Sequence, residues 1–180
     1  MALKPIIYKP TVQLANSDVA YYDNLSLTLA RHPSETLERM TVRLLAYCLL
    51  VQPGLEFGKG LSTTDEPDLW LHNDNGVIEH WIDVGQIEPT RLKKACGRAK
   101  NVSVCCFGKS ADTWWRLNKD AVIVLPNITV WHYPFSEVVS VAALIDRKVK
   151  LSVSIVGGVV YADNGSESAS LEPRRFFTTG

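Results

Sequence analysis

Apolar and polar positions alternate over Lys4 to Leu14 and again over Tyr21 to Ala30, with Ala15-Asn16-Ser17-Asp18 supplying turn chemistry between them. That period of two predicts an antiparallel opening pair of strands. The period then lengthens: Leu37, Met40, Thr41, Leu44, Cys48 and Val51 recur at helical spacing up to Pro53-Gly54, so a helix is expected there, with Ser34 as N-cap and Glu35 in its first turn. Glu38 lies at the edge of the apolar stripe, and Arg39 and Arg43 are expected to point away from it. A short strand over Leu55 to Lys59 leads to two further alternating runs, Leu69 to Leu71 and Val77 to Val84. Pro89 is a good first residue for a second helix, with Leu92, Ala95, Cys96 and Ala99 as its apolar stripe. Val102 to Phe107 is almost entirely apolar, as a strand buried on both faces is. A third helix from Ser110 to about Asn118, a strand over Asn127 to Tyr133 and a helix from about Ser136 to Asp146 follow. Lys148 to Ile155 alternates strictly and turns at Gly157-Gly158 into Val159 to Ala162, and the turn-rich tail has a weak strand around Leu171.

The segment Asp65 to Gly85 carries the candidate chemistry. Asn73-Asp74-Asn75-Gly76 joins its two alternating runs, and Asn-Gly is a strong hairpin signal because both residues tolerate the positive φ of a type I′ turn. If Asn75 and Gly76 form the loop, Asp68 stands opposite Asp83. If Asp74 and Asn75 form it, Asp68 faces Trp81 and Asp83 is its diagonal neighbour. Both registers bring the two carboxylates together. Adjacent carboxylates repel, so a positive group is expected between them, and hard oxygen ligands suit Mg²⁺ or Mn²⁺. The competing explanation is that both residues are solvated turn and cap positions.

Composition narrows the choices. Nineteen basic and nineteen acidic residues cancel, and the apolar fraction of 46% and charged fraction of 21% are ordinary for a globular protein. The net field therefore does not attract nucleic acid, and any such binding needs a local patch. Cys48, Cys96, Cys105 and Cys106 have no zinc spacing and sit in apolar patterns, as free thiols in a reducing cytoplasm do. No signal peptide or membrane span is legible, so a soluble cytoplasmic protein is expected, with all 180 residues in a single domain. The run Arg91, Lys93, Lys94, Arg98 and Lys100 is the most basic stretch of the chain.

Helix, three strands, helix and strand follow one another from Ser34 to Phe107, with a Glu on the first helix, a literal Pro67-Asp68 on the second strand and Asp83 near the end of the third. This resembles the PD-(D/E)XK nuclease-like superfamily. Over a longer span MALKPIIYK, LSLTLARHPSETLERM, DEPDLWL, WIDVG and RLKKA resemble the YaeQ family, a variant of that fold. The resemblance implies an α/β protein with a mixed central sheet flanked by helices and with additional N- and C-terminal strands. It implies a metal site at Glu38, Asp68 and Asp83 for Mg²⁺ or Mn²⁺. Gly85 stands where the motif lysine belongs. Lys93 or Lys94 is the expected substitute, since some superfamily members place the lysine on the following helix. Two functions follow: a divalent-metal-dependent phosphodiesterase acting on nucleic acid, or a non-catalytic nucleic-acid- or protein-binding module that keeps the fold.

Overall fold

Pro10 has no N–H for a ladder, and the first alternating run breaks there. The computed structural model describes residues 3–59 and 64–180. In it β1 (Ile6–Tyr8) pairs with β4 (Leu29–Arg31) as a separate ribbon, while β2 (Thr11–Asn16) pairs antiparallel with β3 (Tyr21–Ser26) in the register Thr11 to Ser26. The expected opening pair is therefore present but divided in two. The first helix, α1 (Leu37–Leu49), starts later than Ser34: Thr36 is the N-cap, and its Oγ1 accepts from Arg39 N–H at 3.1 Å.

The strand expected over Leu55 to Lys59 shortens to β5 (Glu56–Phe57), followed by β6 (Leu69–His72) and β7 (Ile78–Val84). Gly58 explains the tight joint between them. A Cβ there would stand 1.9 Å from the Pro67 carbonyl oxygen, and Gly58 N–H donates to the Asp68 carbonyl at 2.8 Å. Next come α2 (Pro89–Arg98), β8 (Ala99–Phe107), α3 (Ala111–Val122), β9 (Ile128–Tyr133) and α4 (Phe135–Ala142). α3 is longer and α4 shorter than the sequence suggests. β10 (Lys150–Val156), β11 (Val159–Asp163), β12 (Ser168–Leu171) and β13 (Arg174–Thr178) close the chain.

The strands form two larger mixed sheets, ordered β13-β9-β8-β7-β6-β5 and β12-β11-β10-β2-β3. In the first, β7, β8 and β9 run parallel, and antiparallel strands flank them. In the second, β10 lies parallel to β2 with Lys150 beside Thr11. α1 and α4 fill the space between the two sheets, where Leu14, Leu44, Ile82, Val84, Tyr133, Val138 and Leu151 share one buried cluster. The opposite face of the six-stranded sheet is covered by α2 and α3 through Trp81, Leu92, Val102, Val104 and Val122. This is a mixed α/β fold with helices on both faces of the larger sheet. Among the described residues, no helix is long and apolar enough to cross a membrane.

Candidate functional site

β6 and β7 pair Leu69 with Ile82, Trp70 with Trp81 and Leu71 with His80, before a bulge shifts His72 onto Ile78. Continued by one residue, that register sets Asp68 across from Asp83, as the first of the two expected registers does. The expected type I′ turn is corrected: Asn73 N–H donates to the Val77 carbonyl at 2.9 Å, so Asp74, Asn75 and Gly76 form a three-residue loop in which Gly76 alone has a positive φ. The bulge belongs to the turn, where Asn73 Oδ1 accepts from the N–H groups of Asn75 and Val77 at 2.9 and 3.0 Å. Both aspartates are buried, Asp68 at 5% and Asp83 at 1% exposure. Charges so far from water need partners within hydrogen-bond reach.

Those partners are arginines. Arg39 Nη2 on α1 lies 3.0 Å from both oxygens of Asp68, and Val84 N–H donates to the same carboxylate at 2.8 Å. Arg91 on α2 donates to Asp83 through Nε at 3.0 Å and Nη2 at 3.2 Å, and Trp81 Nε1 adds a third bond at 3.0 Å. Because α1 and α2 cover opposite faces of the sheet, the two carboxylates take their cations from different helices. Burial pushes the Asp68 pKa up, Arg39 and the Val84 N–H oppose that, and the neighbouring Asp83 charge adds to it.

The acidic residue that joins this network is Glu35, which lies just before the N-cap Thr36 and not in the first turn of α1 as expected. It is 3% exposed, and its carboxylate accepts from Arg43 at 2.7 and 3.0 Å and from Arg39 Nη1. Arg39 therefore bridges Glu35 to Asp68. Glu38 is half-buried in the first turn of α1, on the other side of the N-cap from Glu35. The expectation that Arg39 and Arg43 point away from the core is corrected here: Arg43 is 2% exposed because it pairs with the buried Glu35, and Arg39 turns inward to balance Asp68. The spacing Glu35, Arg39, Arg43 at i, i+4 and i+8 carried this signal.

Lys93 and Lys94 are exposed, and Arg91 holds the position beside Asp83 that they were expected to serve. Gly85 has φ +116°, a conformation that strains any L side chain. The missing motif lysine is thus excluded by the backbone at the end of β7. A divalent ion fits this donor set poorly, since the oxygens it would take already accept from guanidinium, indole and amide N–H groups. Among the described residues, no group of three or more His, Cys, Asp and Glu side chains is arranged to hold a metal ion.

Arg91 also ties down the segment before β6, donating to the carbonyls of Thr64 and Glu66, and Arg98 donates to the Asp65 carbonyl at 3.2 Å. The two guanidiniums lie 5.6 and 4.9 Å from the Trp81 ring centre. Around them, Thr64, Thr90, Lys94 and Gly97 complete a hollow of about 530 Å³ with a cationic wall.

The fold and this arginine-neutralised carboxylate pair define a class of mixed α/β proteins rather than an activity. The model of the YaeQ protein family matches residues 1–173. The YaeQ protein of Escherichia coli K12 is 41% identical over 162 residues, covering 89% of this chain and 90% of the relative. The Salmonella typhi YaeQ protein is 35% identical over 173 residues, 96% of each chain. The crystal structure of YaeQ from Xanthomonas axonopodis pv. citri superposes with a TM-score of 0.92 at 38% identity, covering 97% of this chain and 99% of that one. That of Pseudomonas syringae YaeQ gives 0.91 at 33% identity over 96% of each. The chain belongs to the YaeQ family.

Proposed function

We propose that this chain is a non-catalytic nucleic-acid-binding module on a PD-(D/E)XK nuclease-like core, acting in the cytoplasm. The order α1, β5, β6, β7, α2, β8 supports the superfamily assignment. The observation that carries the functional reading is the exchange of counter-charge. Arg39 and Arg91 neutralise Asp68 and Asp83 from within the protein, while α2 leaves Lys93, Lys94 and Arg98 exposed, the last two lining the hollow over Trp81. Exposed cations along one helix, with no acidic residue in its first turn, attract phosphate by charge and select no base sequence. A cytoplasmic location agrees with four cysteines that are all free thiols.

Fluorescence anisotropy with labelled single- and double-stranded DNA and RNA tests this. Neutralising three phosphates gives a log–log salt slope of about −2 to −3 and a dissociation constant of roughly 10⁻⁴ to 10⁻⁶ M at physiological salt. Lys93→Glu with Lys94→Glu should weaken binding at least tenfold and flatten the slope, with no cleavage when Mg²⁺ or Mn²⁺ is added. Absence of binding at low salt overturns the module. Metal-dependent cleavage lost in Asp68→Asn and Asp83→Asn reinstates the nuclease.

A further inference from the structure

The α1 face of the six-stranded sheet is covered over only part of its length. α1 packs on Ile82, Val84, Cys105 and Tyr133. Beyond Leu50 the same face opens into a cleft of about 490 Å³, whose lining includes His80, Ser103, Thr129, Trp131, Arg175 and Thr178. That volume is in the range of small-molecule sites. The register carries a row of hydroxyls across three strands: Ser103 lies beside Thr129, and Thr129 beside Thr178, with the two threonine oxygens 2.9 Å apart.

Ser103 sits on a central strand, where an aliphatic side chain packs at lower cost, yet it is a polar residue with 4% exposure. Its Oγ is 2.7 Å from His80 Nε2. A buried hydroxyl within hydrogen-bond reach of a half-buried imidazole in the wall of a cleft has the geometry of a nucleophile and its base. We propose that Ser103 and His80 form a nucleophile–base pair that takes the acyl group of a small ester entering this cleft.

With the ring proton on Nδ1, the Ser103 hydroxyl donates to Nε2. Oγ then bonds to the ester carbonyl carbon as its proton passes to Nε2. The bond from that carbon to the alcohol oxygen breaks, and the leaving alkoxide takes the proton back. Water attacks the acyl-Ser103 by the same route, giving its proton to Nε2, and carboxylic acid leaves as Oγ is reprotonated. The sum is ester plus water to acid plus alcohol. Arg175, exposed and 4.9 Å above the Trp131 ring centre, suits an acyl chain ending in a carboxylate. Glu79 at the rim is held by Lys100 at 2.8 Å. Burial pushes the His80 pKa down to about 4, so the ring is in its base form at neutral pH, but the imidazolium is costly and turnover is slow.

An alkyl fluorophosphonate reports the nucleophile directly, because Oγ–P forms as P–F breaks and fluoride leaves. Intact mass and peptide mapping at pH 8 should show one adduct, on Ser103, absent from Ser103→Ala and at least tenfold slower to form in His80→Gln, or in His80→Asn if the first variant fails to fold. A folded wild type that stays unlabelled at Ser103 overturns the proposal, as does labelling at an unchanged rate in a folded His80 variant. Mono-4-nitrophenyl adipate, whose carboxylate is too far along the chain to attack its own ester efficiently, should be hydrolysed faster above the enzyme-free background than 4-nitrophenyl hexanoate, with the advantage lost in Arg175→Gln. Equal rates in the wild type overturn the anionic acyl assignment.

Discussion

Arg39 on α1 reaches Asp68 at the foot of β6 with Nη2 3.0 Å from both carboxylate oxygens, while its Nη1 stays on Glu35. A single guanidinium thus joins the first helix to the Pro67-Asp68 turn, where the superfamily resemblance expects a metal ion. Asp68 is 5% exposed and Glu35 3%; removing the cation leaves Asp68 an uncompensated buried charge, while Glu35 keeps its pair with Arg43. Arg39→Met is expected to destabilise the fold by about 3–5 kcal/mol, and the double change Arg39→Met, Asp68→Leu, which leaves the Glu35–Arg43 pair intact, to recover part of that loss. Urea unfolding measures both. An Arg39→Met protein as stable as wild type would mean that the bridge carries no structural load.

Arg91 has two duties that one substitution separates from the core. It neutralises Asp83 and holds the carbonyls of Thr64 and Glu66. Arg91→Ala should cost about 2–4 kcal/mol, since a buried carboxylate loses its charged donor. Amide exchange should also accelerate around Asp65 to Asp68 more than in β8. Uniform acceleration across the protein would contradict a local anchoring role.

His80 gives the fold an acid-sensitive component. Burial holds its folded pKa near 4, against about 6.5 for a histidine in an unfolded chain. Between those values the unfolded state binds the extra proton, so stability falls as pH drops from about 6.5 toward 4, by up to about 3 kcal/mol. Asp68 acts in the opposite sense: its raised pKa makes the folded state the better proton acceptor in acid. The difference in stability between wild type and His80→Gln isolates the histidine, and it should shrink as the pH is lowered through this window. A difference independent of pH would show that the ring is not held neutral by burial.

How far the sequence reached depends on the range of the interactions. The β6–β7 hairpin was legible because Asn75-Gly76 and the alternation around it are local, and its register brings Asp68 opposite Asp83 as one of the two expected arrangements. The identity of their counter-charges was not. Helical spacing places Arg39 on the outer side of α1 only if water lies there, and the hairpin, which that periodicity cannot see, lies there instead. The resemblance points to a lysine on α2, Lys93 or Lys94, whereas the packing of Leu92 and Ala95 against β8 turns Arg91 toward Asp83. The parallel pairing of β10 with β2, and the antiparallel pairing of Arg174 to Thr178 with β9, join distant segments. Local pattern carries no signal for such pairs. Gly85 was read correctly as a departure from the motif, but only its φ of +116° gives the physical cause.

The central claim is that arginine, and not a divalent cation, neutralises the aspartate pair. The most direct measurement is the melting temperature of the wild type with and without millimolar Mn²⁺. A ligand that prefers the native state raises it, and about 1 kcal/mol of binding shifts a protein of this length by roughly 2–4 °C. The arginine account predicts no shift in the wild type and a shift in Arg39→Met, where the vacated Asp68 carboxylate regains a need for positive charge. A rise of several degrees in the wild type that disappears in Asp68→Asn and Asp83→Asn would contradict it.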